Sequence, residues 1–329
     1  MQSITEKRPA TPHHDEAYLD LKQFVSYLRG ETDESRNTES INVPMNVEQY
    51  ITEKIKSMAP VKSIARITST TAEKLDVVID RSDFNQSGWI TDNKISSDYQ
   101  TNIKKISIEL HELYARPRVT QRFIDDRSIR IEDFIKEKIV SQMASAENKA
   151  FLFGDGISQP HGILKYGLSY TEESYKKNDK TIEAVKTGAN GQIPKMEHLV
   201  SVMEKLPSEY LHNAVWLMSR NAASTIRFIR DHDNKRFIWN DSLTTGIPAT
   251  LLGYPVVISD DMPKLLTERP TTPVLFGNLY EAYQIAERPH ITLLKDPYNS
   301  KPFVEFYATK RIGGDIINFD AIKVLRCEQ

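Results

Sequence analysis

The chain of 329 residues is 39% hydrophobic and 27% charged, which excludes a disordered chain, and no apolar run approaches the roughly 20 residues that cross a bilayer. Its 43 Lys and Arg against 45 Asp and Glu give a net charge of −2, which excludes general polyanion binding by bulk charge but leaves room for a local basic patch. The single cysteine, Cys327, excludes an internal disulfide framework and indicates a reducing compartment, and the start MQSITEKRPATPHHDE predicts no secretory signal.

Residues 1–46 are predicted to form an extended arm. A short amphipathic helix ending at Gly30 is predicted from its apolar residues, which are Leu19, Leu21, Phe24, Val25 and Leu28. The polar run ETDESRNTES follows it. Because such an arm cannot bury itself, we expect it to be disordered or laid on another surface. A second short helix is predicted between Pro44 and Pro60.

Strands are predicted next. Three segments are β-branched and partly alternating: VKSIARIT (61–68), KLDVVID (74–80) and IKKISIEL (103–110). A long polar stretch that contains Trp89 separates the last two. Two strands with such an excursion between them predict a protruding hairpin rather than a packed sandwich.

The strongest helical signal covers residues 128–150. Its apolar stripe consists of Ile131, Ile135, Ile139, Met143, Ala146 and Ala150. Ser128 is the predicted N-cap, and Gly154 lies just past the end. At 1.5 Å per residue, about 22 residues span roughly 33 Å, so this helix can form the backbone of a domain.

The rest of the chain mixes helices and short strands. Residues 165–194 are predicted to be a mobile polar loop, followed by a helix that Pro207 ends. A buried strand is predicted at 214–218, and Ser219 is the predicted cap of the next helix. Further strands are predicted in YPVVIS, PVLFGN, FVEFYA, DIINF and AIKVL. Without an internal repeat, this pattern predicts the α+β class.

Two glycine clusters do not fit a nucleotide site. GDG at 154–156 lies at the C-terminal end of the predicted helix, whereas phosphate binds at helix N-termini, so helix termination and a tight turn are predicted. RIGG at 311–314 predicts a turn or bulge after a strand. The motifs GxxxxGK[ST], GxGxxG and GxSxG do not occur.

The titratable residues show no catalytic or metal-binding pattern. No HExxH motif occurs among the histidines, which are His13, His14, His111, His161, His198, His212, His232 and His290. The acidic pairs Asp125–Asp126 and Asp260–Asp261 are adjacent, so they predict capping or turn residues rather than a paired acid and base.

One cluster of basic residues has two possible functions. Arg116, Arg118 and Arg122 alternate with other residues, which predicts either a nucleic-acid stripe or salt bridges between subunits. No pattern in the sequence supports catalysis. The sequence therefore predicts that the chain is not an enzyme and has no catalytic residue, metal or cofactor.

Several segments match, in order, the motifs of one family. FLFGDGISQPHGIL resembles the signature "GDG…QP.GIL", AYLDLKQFVSYLRGE resembles "F..YLR.G", and the segment from INVPMN to SIARI resembles the family's entry motif, although Glu39-Ser40 replaces the usual glycine pair. Trp89 lies where the family often has a Trp in its extended loop. Later motifs are matched by GIPATLLGYPVVISDDMP, VLFGNLYEAYQIAER and FYATKRIGGDIINFDAIKVL. From about residue 17 to 326, the chain resembles tailed-bacteriophage major capsid proteins with the Hong Kong 97 fold.

This resemblance implies an α+β fold of the Hong Kong 97 type. The implied parts are an N-terminal arm (1–46), an entry helix and extended loop (47–112), a peripheral domain with a spine helix (113–162), an axial domain (163–278), peripheral return strands (279–312) and an axial C-terminal strand (313–329). The extended loop would reach over a neighbouring subunit. In a shell, neighbouring subunits would bury the hairpin and the arm, which the chain itself cannot bury.

The resemblance also implies a function. The chain would be a major capsid protein that self-assembles as hexamers and pentamers into an icosahedral head around double-stranded DNA, without sequence-specific binding and without a membrane. Portal, scaffolding or decoration proteins would be further partners, and the virion, assembled in the bacterial cytoplasm, would be its location. A gene-transfer-agent capsid and an encapsulin-like compartment of the same fold stay open, as do an enzyme with scattered site residues and a nucleic-acid-binding protein.

Two family features concern processing and cross-linking. Many members carry an N-terminal scaffolding segment that a protease removes, so we expect either a separate scaffold or a chain that starts after the cut. The founding member joins neighbouring subunits through a Lys–Asn bond promoted by a Glu. The candidates here are Lys74 or Lys94 in the hairpin, with Asn299 and Glu305.

Overall fold

The computed structural model describes residues 12–31, 41–80, 103–126, 130–171, 180–187, 194–230, 237–240, 249–265 and 270–327. Its α-helices are α1 (Pro12–Arg29), α2 (Met45–Met58), α3 (Pro60–Ile64), α4 (Gln121–Asp125), α5 (Ile131–Phe153), α6 (Met196–Glu204), α7 (Arg220–Arg227) and α8 (Leu279–Ala282).

The strands form two larger sheets and one hairpin. In chain order they are β1 (Ile41–Asn42), β2 (Arg66–Ser69), β3 (Lys74–Asp80), β4 (Ile103–Glu109), β5 (His111–Ala115), β6 (Arg118–Thr120), β7 (Gly167–Ser169), β8 (Thr181–Lys186), β9 (Val215–Met218), β10 (Trp239–Asn240), β11 (Thr250–Leu251), β12 (Tyr254–Ile258), β13 (Thr271–Gly277), β14 (Tyr283–Glu287), β15 (Thr292–Asp296), β16 (Phe303–Ile316) and β17 (Ile322–Cys327).

The chain divides into two compact units. The first unit comprises Met1–Ala59, Glu112–Glu147 and Pro289–Arg311, and the second comprises Pro60–His111, Asn148–Arg288 and Ile312–Gln329. Helix α5 and strand β16 each contribute residues to both units. The division into arm, peripheral and axial domains stays a prediction.

Helices cover one face of the sheet in the first unit. Here β15 lies antiparallel between β1 and β16, and β6 and β5 also pair with β16. The first four residues of the predicted stripe of α5, from Ile131 to Met143, pack with residues of α1 and α2 against the sheet, and Ile51 and Phe306 lie in the same core. The predicted helix end at Gly30 is confirmed, since Gly30 follows α1 with a φ of 75°.

One predicted strand is partly wrong. The strand begins only at Arg66, as part of β2 (Arg66–Ser69), and the residues before it belong to α3 (Pro60–Ile64). Proline fits the first position of a helix, because it has no N–H that needs a partner there. Val61 is fully buried on this turn, and its N–H donates to Asn148 Oδ1 at 3.3 Å. Burial on one helical turn therefore overrides the β-branched composition.

The larger sheet belongs to the second unit and runs in the order β10-β11-β12-β9-β13-β17-β8-β7. Its core contains Trp216 and Phe276, against which α6 and α7 pack. The cap prediction is confirmed, because Ser219 Oγ accepts from the Ala222 N–H at 3.2 Å.

The prediction of a loop at 165–194 is wrong where the structure describes this range. It contains β7 and β8, and β8 lies inside the sheet, parallel to both β17 and β7. Residues 181–184 are buried in succession. A short strand buried on both faces shows no alternation, so its sequence does not resemble a half-exposed strand.

The predicted hairpin is confirmed in the part that the structure describes. Strands β3 and β4 pair antiparallel from Lys74↔Glu109 to Asp80↔Ile103 and form a sheet of their own. Ile108 of β4 packs with Ala286 and Ile317 at the base of the hairpin. The excursion with Trp89, and the predicted N-cap Ser128, lie outside the described residues.

Candidate functional site

The GDG motif ends a helix and closes a tight loop, as predicted. A side chain on Gly154 would place its Cβ 1.9 Å from the Pro160 carbonyl oxygen, so only glycine fits. The Asp155 carboxylate accepts the backbone N–H groups of Ile157 and Ser158 at 3.0 Å and of Gln159 at 3.1 Å. These hydrogen bonds lower the pKa of Asp155, and the bond from the Ile157 N–H has the largest effect. The loop's own carboxylate thus occupies the N–H groups that a phosphate would need.

The prediction of a turn at RIGG is wrong. Gly313 and Gly314 continue β16 and pair with Ala286 and Ile285 of β14. A Cβ on Gly313 would lie 2.2 Å from the carbonyl oxygen of Glu109, and one on Gly314 would lie 2.5 Å from the hydroxyl of Tyr283. The glycines are therefore explained by the close approach of other chain segments to the strand.

The two glycine motifs meet in the second unit. The His161 N–H donates to the Gly314 carbonyl at 2.8 Å, and the Tyr283 hydroxyl donates to the His161 carbonyl at 2.8 Å. Tyr166 stacks on the His161 ring and donates to Asp315. Burial raises the pKa of both tyrosines, and the negative charge of Asp315 raises it further. Both hydroxyls therefore stay protonated, and the junction fixes packing rather than moving protons.

Buried charges are arranged as ion pairs. Lys62 lies 2.7 Å from Glu287, and Lys310 lies 2.8 Å from Glu147. Glu183 contacts Lys205 at 2.5 Å and Lys323 at 3.0 Å. Removing one partner of such a pair is strongly destabilising, because the other charge is left buried. These groups therefore contribute to folding.

The described residues hold no group of three or more His, Cys, Asp and Glu that could bind a metal ion. His198 accepts from the Lys195 N–H at 3.0 Å and thereby caps α6. Burial raises the pKa of Cys327 to about 11, so its thiol is protonated and unreactive at neutral pH. Over the part of the chain described, no helix is long and apolar enough to span a membrane.

The acidic pairs are capping and turn residues, as predicted. Asp126 follows the last residue of α4 as its C-cap. Asp260 pairs with Arg220 at 3.0 Å on the surface, and Asp261 accepts from the Asn148 amide at 2.6 Å. Neither pair is set up for proton transfer to a substrate.

Two of the three arginines of the basic cluster form ion pairs within the subunit. Arg116 and Arg118 lie 3.3 and 2.9 Å from the two carboxylate oxygens of Glu305, and Ser300 donates to the same carboxylate at 2.9 Å. The amide of Asn299, the cross-linking candidate, donates to Asp296. Both carboxylate oxygens of Glu305 are therefore contacted by arginines of the same subunit.

Comparison with known proteins identifies the family. The model of the family described as "Phage capsid family" matches residues 40–327. The chain belongs to this family. In a solved capsid of a native GTA particle, computed with C5 symmetry, the matching chain is 36% identical with a TM-score of 0.69, over 83% of this chain and 91% of that one. No match was found among curated proteins.

More distant structures share the fold alone. A chain of Microbacterium phage Oxtober96 is 13% identical with a TM-score of 0.53, over 80% of this chain and 90% of that one. A chain of the holo-SrpI encapsulin complex of Synechococcus elongatus PCC 7942 is 12% identical with a TM-score of 0.54, over 81% of this chain and 86% of that one. The Hong Kong 97-type fold is thus confirmed. The capsid protein is a shell-forming, non-enzymatic protein of a virion or similar particle, and it self-assembles into shell oligomers.

Proposed function

We propose that this capsid protein forms a closed icosahedral shell of pentamers and hexamers around double-stranded DNA. The observation that carries the proposal is its 36% identity to the capsid of a GTA particle over most of both chains. The same observation favours a gene-transfer-agent capsid as a second candidate, since the phage chain is 13% identical. An encapsulin-like compartment has the support of the fold alone.

The hairpin of β3 and β4 supports a contact with neighbouring subunits. Its far end exposes 64% of Val78 and 61% of Ile103. A two-stranded hairpin is marginally stable in water without cover, and these apolar side chains lie away from the base that packs on Ala286. We expect the hairpin to reach over a neighbouring subunit, which buries this end.

The charge of the chain is suited to a container for DNA. With a net charge of −2, the wall has no bulk attraction for the phosphate backbone, so DNA is enclosed without tight or sequence-specific binding. Assembly would take place in the host cytoplasm, with portal, scaffolding or decoration proteins as further partners.

Electron microscopy of the purified chain, with light scattering on a sizing column, tests the proposal. We expect closed shells, or rings of five and six subunits. Particles recovered from the host should contain double-stranded DNA that resists nuclease until the shell is opened. A monomer at every salt and protein concentration, with and without cell extract, would contradict self-assembly. Shells that enclose protein and no DNA would contradict the cargo and favour the encapsulin-like alternative.

A further inference from the structure

A pocket lies in the first unit, between α1, β1 and the start of α2. Its volume is about 550 Å³, which is in the range of sites that bind small organic molecules. All of its lining residues belong to the first unit. The side chains of Phe24, Tyr27 and Val43 line it and are buried, whereas Met45 is 69% exposed and lies on its solvent side. The pocket therefore offers an apolar surface to the body of a ligand.

One carboxylate, that of Glu48, also lines the pocket. Its side chain is 16% exposed, and its Oε1 accepts the backbone N–H of His290 at 2.6 Å. The Nδ1 atom of His290 lies 3.5 Å from Oε2. An ionised carboxylate can accept about four hydrogen bonds, so most acceptor positions of Glu48 have no partner among the described residues. Because largely buried polar groups are normally hydrogen-bonded, these positions favour a ligand that donates hydrogen bonds.

The structure around the pocket holds this carboxylate in place. Glu48 lies in the first turn of α2, so its backbone is fixed by the helix. His290 has a φ of 85°, which is uncommon for a residue other than glycine, and in this conformation its N–H reaches Glu48. A polar group that is ordered before binding loses little freedom when a ligand arrives.

The charges around the pocket favour a cation. Glu48 carries a full negative charge, whereas the N-terminus of α2 carries about half a positive charge, so the sum of the two is negative. The imidazole of His290 adds a positive charge only when it is protonated. The ammonium group of Lys295 lies beside Gly30, past the C-terminal end of α1, and Lys295 is not among the lining residues.

We propose that this pocket binds a small organic amine. The apolar body of the amine contacts Phe24 and Tyr27, and its ammonium group donates to Glu48. An ammonium group has three donors and no acceptor, which matches the open acceptor positions of the carboxylate. An anion would be repelled by Glu48, and a purely apolar ligand would bury the carboxylate without a partner. The inference goes beyond the proposed function and does not depend on it.

Three probes with the same apolar body and different polar ends test the inference. Phenylbutylamine, phenylbutanol and phenylbutyrate are titrated into the full chain by calorimetry at pH 8, where a primary amine is charged and a histidine is ordinarily neutral. We expect the amine to bind one site about tenfold more tightly than the alcohol, and phenylbutyrate to bind least. Equal affinities of the amine and the alcohol would overturn the inference, and so would the absence of saturable binding of the amine.

Matched variants locate the bound amine. Glu48→Gln should weaken the binding of phenylbutylamine about tenfold and leave that of phenylbutanol nearly unchanged. It keeps an oxygen that can accept the His290 N–H, so it should melt within a few degrees of the unsubstituted chain. Glu53→Gln is the control, since Glu53 is exposed on the same helix and does not line the pocket.

A second variant blocks the pocket and leaves its carboxylate unchanged. Met45→Trp places a larger side chain at an exposed position, so folding should be preserved while the binding of phenylbutylamine and phenylbutanol weakens together. Unchanged binding of the amine in both Met45→Trp and Glu48→Gln would place it elsewhere on the chain and contradict the inference.

Discussion

Glu183 is a buried carboxylate whose charge depends on two lysines. Burial raises its pKa, but the hydrogen bonds from Lys205 and Lys323 outweigh burial and hold the pKa below its ordinary value. Because the pKa is lower in the folded state, ionised Glu183 stabilises the fold at pH values above its pKa in the unfolded chain, about 4.3. This stabilisation is lost as the pH falls through the pKa of the folded state. Acid should therefore weaken the second unit below about pH 4 in part through this group.

The variant Glu183→Gln tests this pH dependence. At pH 7 we expect it to reduce the free energy of unfolding by about 3 kcal/mol, because it removes the buried carboxylate that lies 3.0 Å from the ammonium group of Lys323, itself 2% exposed. The difference from the unsubstituted chain should shrink as the pH falls from 5 to 3, measured by denaturant unfolding at each pH. Asp260→Asn is the control, since the pair of Asp260 with Arg220 is exposed and should matter little. Parallel pH curves for Glu183→Gln and the unsubstituted chain would contradict the argument.

Single residues were predictable where their cause was local. Gly154 follows an amphipathic helix, so the sequence around it predicts its role as a terminator. The cause at Gly313 and Gly314 is remote, because the Glu109 carbonyl and the Tyr283 hydroxyl fill the space there. The intrasubunit pairing of Arg116 with Glu305 was missed for the same reason, since the two lie far apart in sequence.

The hairpin is the element whose removal should separate folding from assembly. Replacing residues 81–102 by Asn-Gly joins Asp80 to Ile103, which already face each other across the hairpin, through a two-residue turn of the favoured type. Because Ile108 and the base of the hairpin are kept, we expect the subunit to fold and to melt close to the unsubstituted chain. Assembly should be lost, because the variant shortens the extended loop that we propose to reach over a neighbouring subunit.

Sedimentation and electron microscopy of the shortened chain measure this outcome. Val78→Asp is a milder variant: its site is 64% exposed, so a charge costs the subunit little but should weaken a contact that buries it. Normal yields of shells from the shortened chain would show that the hairpin does not join subunits. A large loss of melting temperature would instead assign it a role in folding.

Elements were predictable from sequence when their periodicity was strong. Helix α5 and strand β4 each bury one side and expose the other, so their residues repeat at the expected period. Strands β7 and β8 fall in a range predicted to be a loop, and the residue pattern did not predict β14 and β15, although the family resemblance implies return strands at 279–312. Residues Tyr283–Ala286 of β14 are buried in succession between β2 and β16, and pairing of that kind is set by segments distant in sequence.

At the scale of the whole molecule, the capsid protein should form a shell without covalent links between subunits. A Lys–Asn bond releases ammonia from the asparagine amide, but the Asn299 amide donates to Asp296, and Arg116 and Arg118 contact the two carboxylate oxygens of Glu305. Disulfides are disfavoured too, since Cys327 is 2% exposed. Denaturing electrophoresis of assembled particles should therefore give one band at the subunit mass, with and without reductant. A ladder of larger bands that disappears in Asn299→Ala would contradict this expectation and identify the bond, and a ladder that reductant removes would identify Cys327.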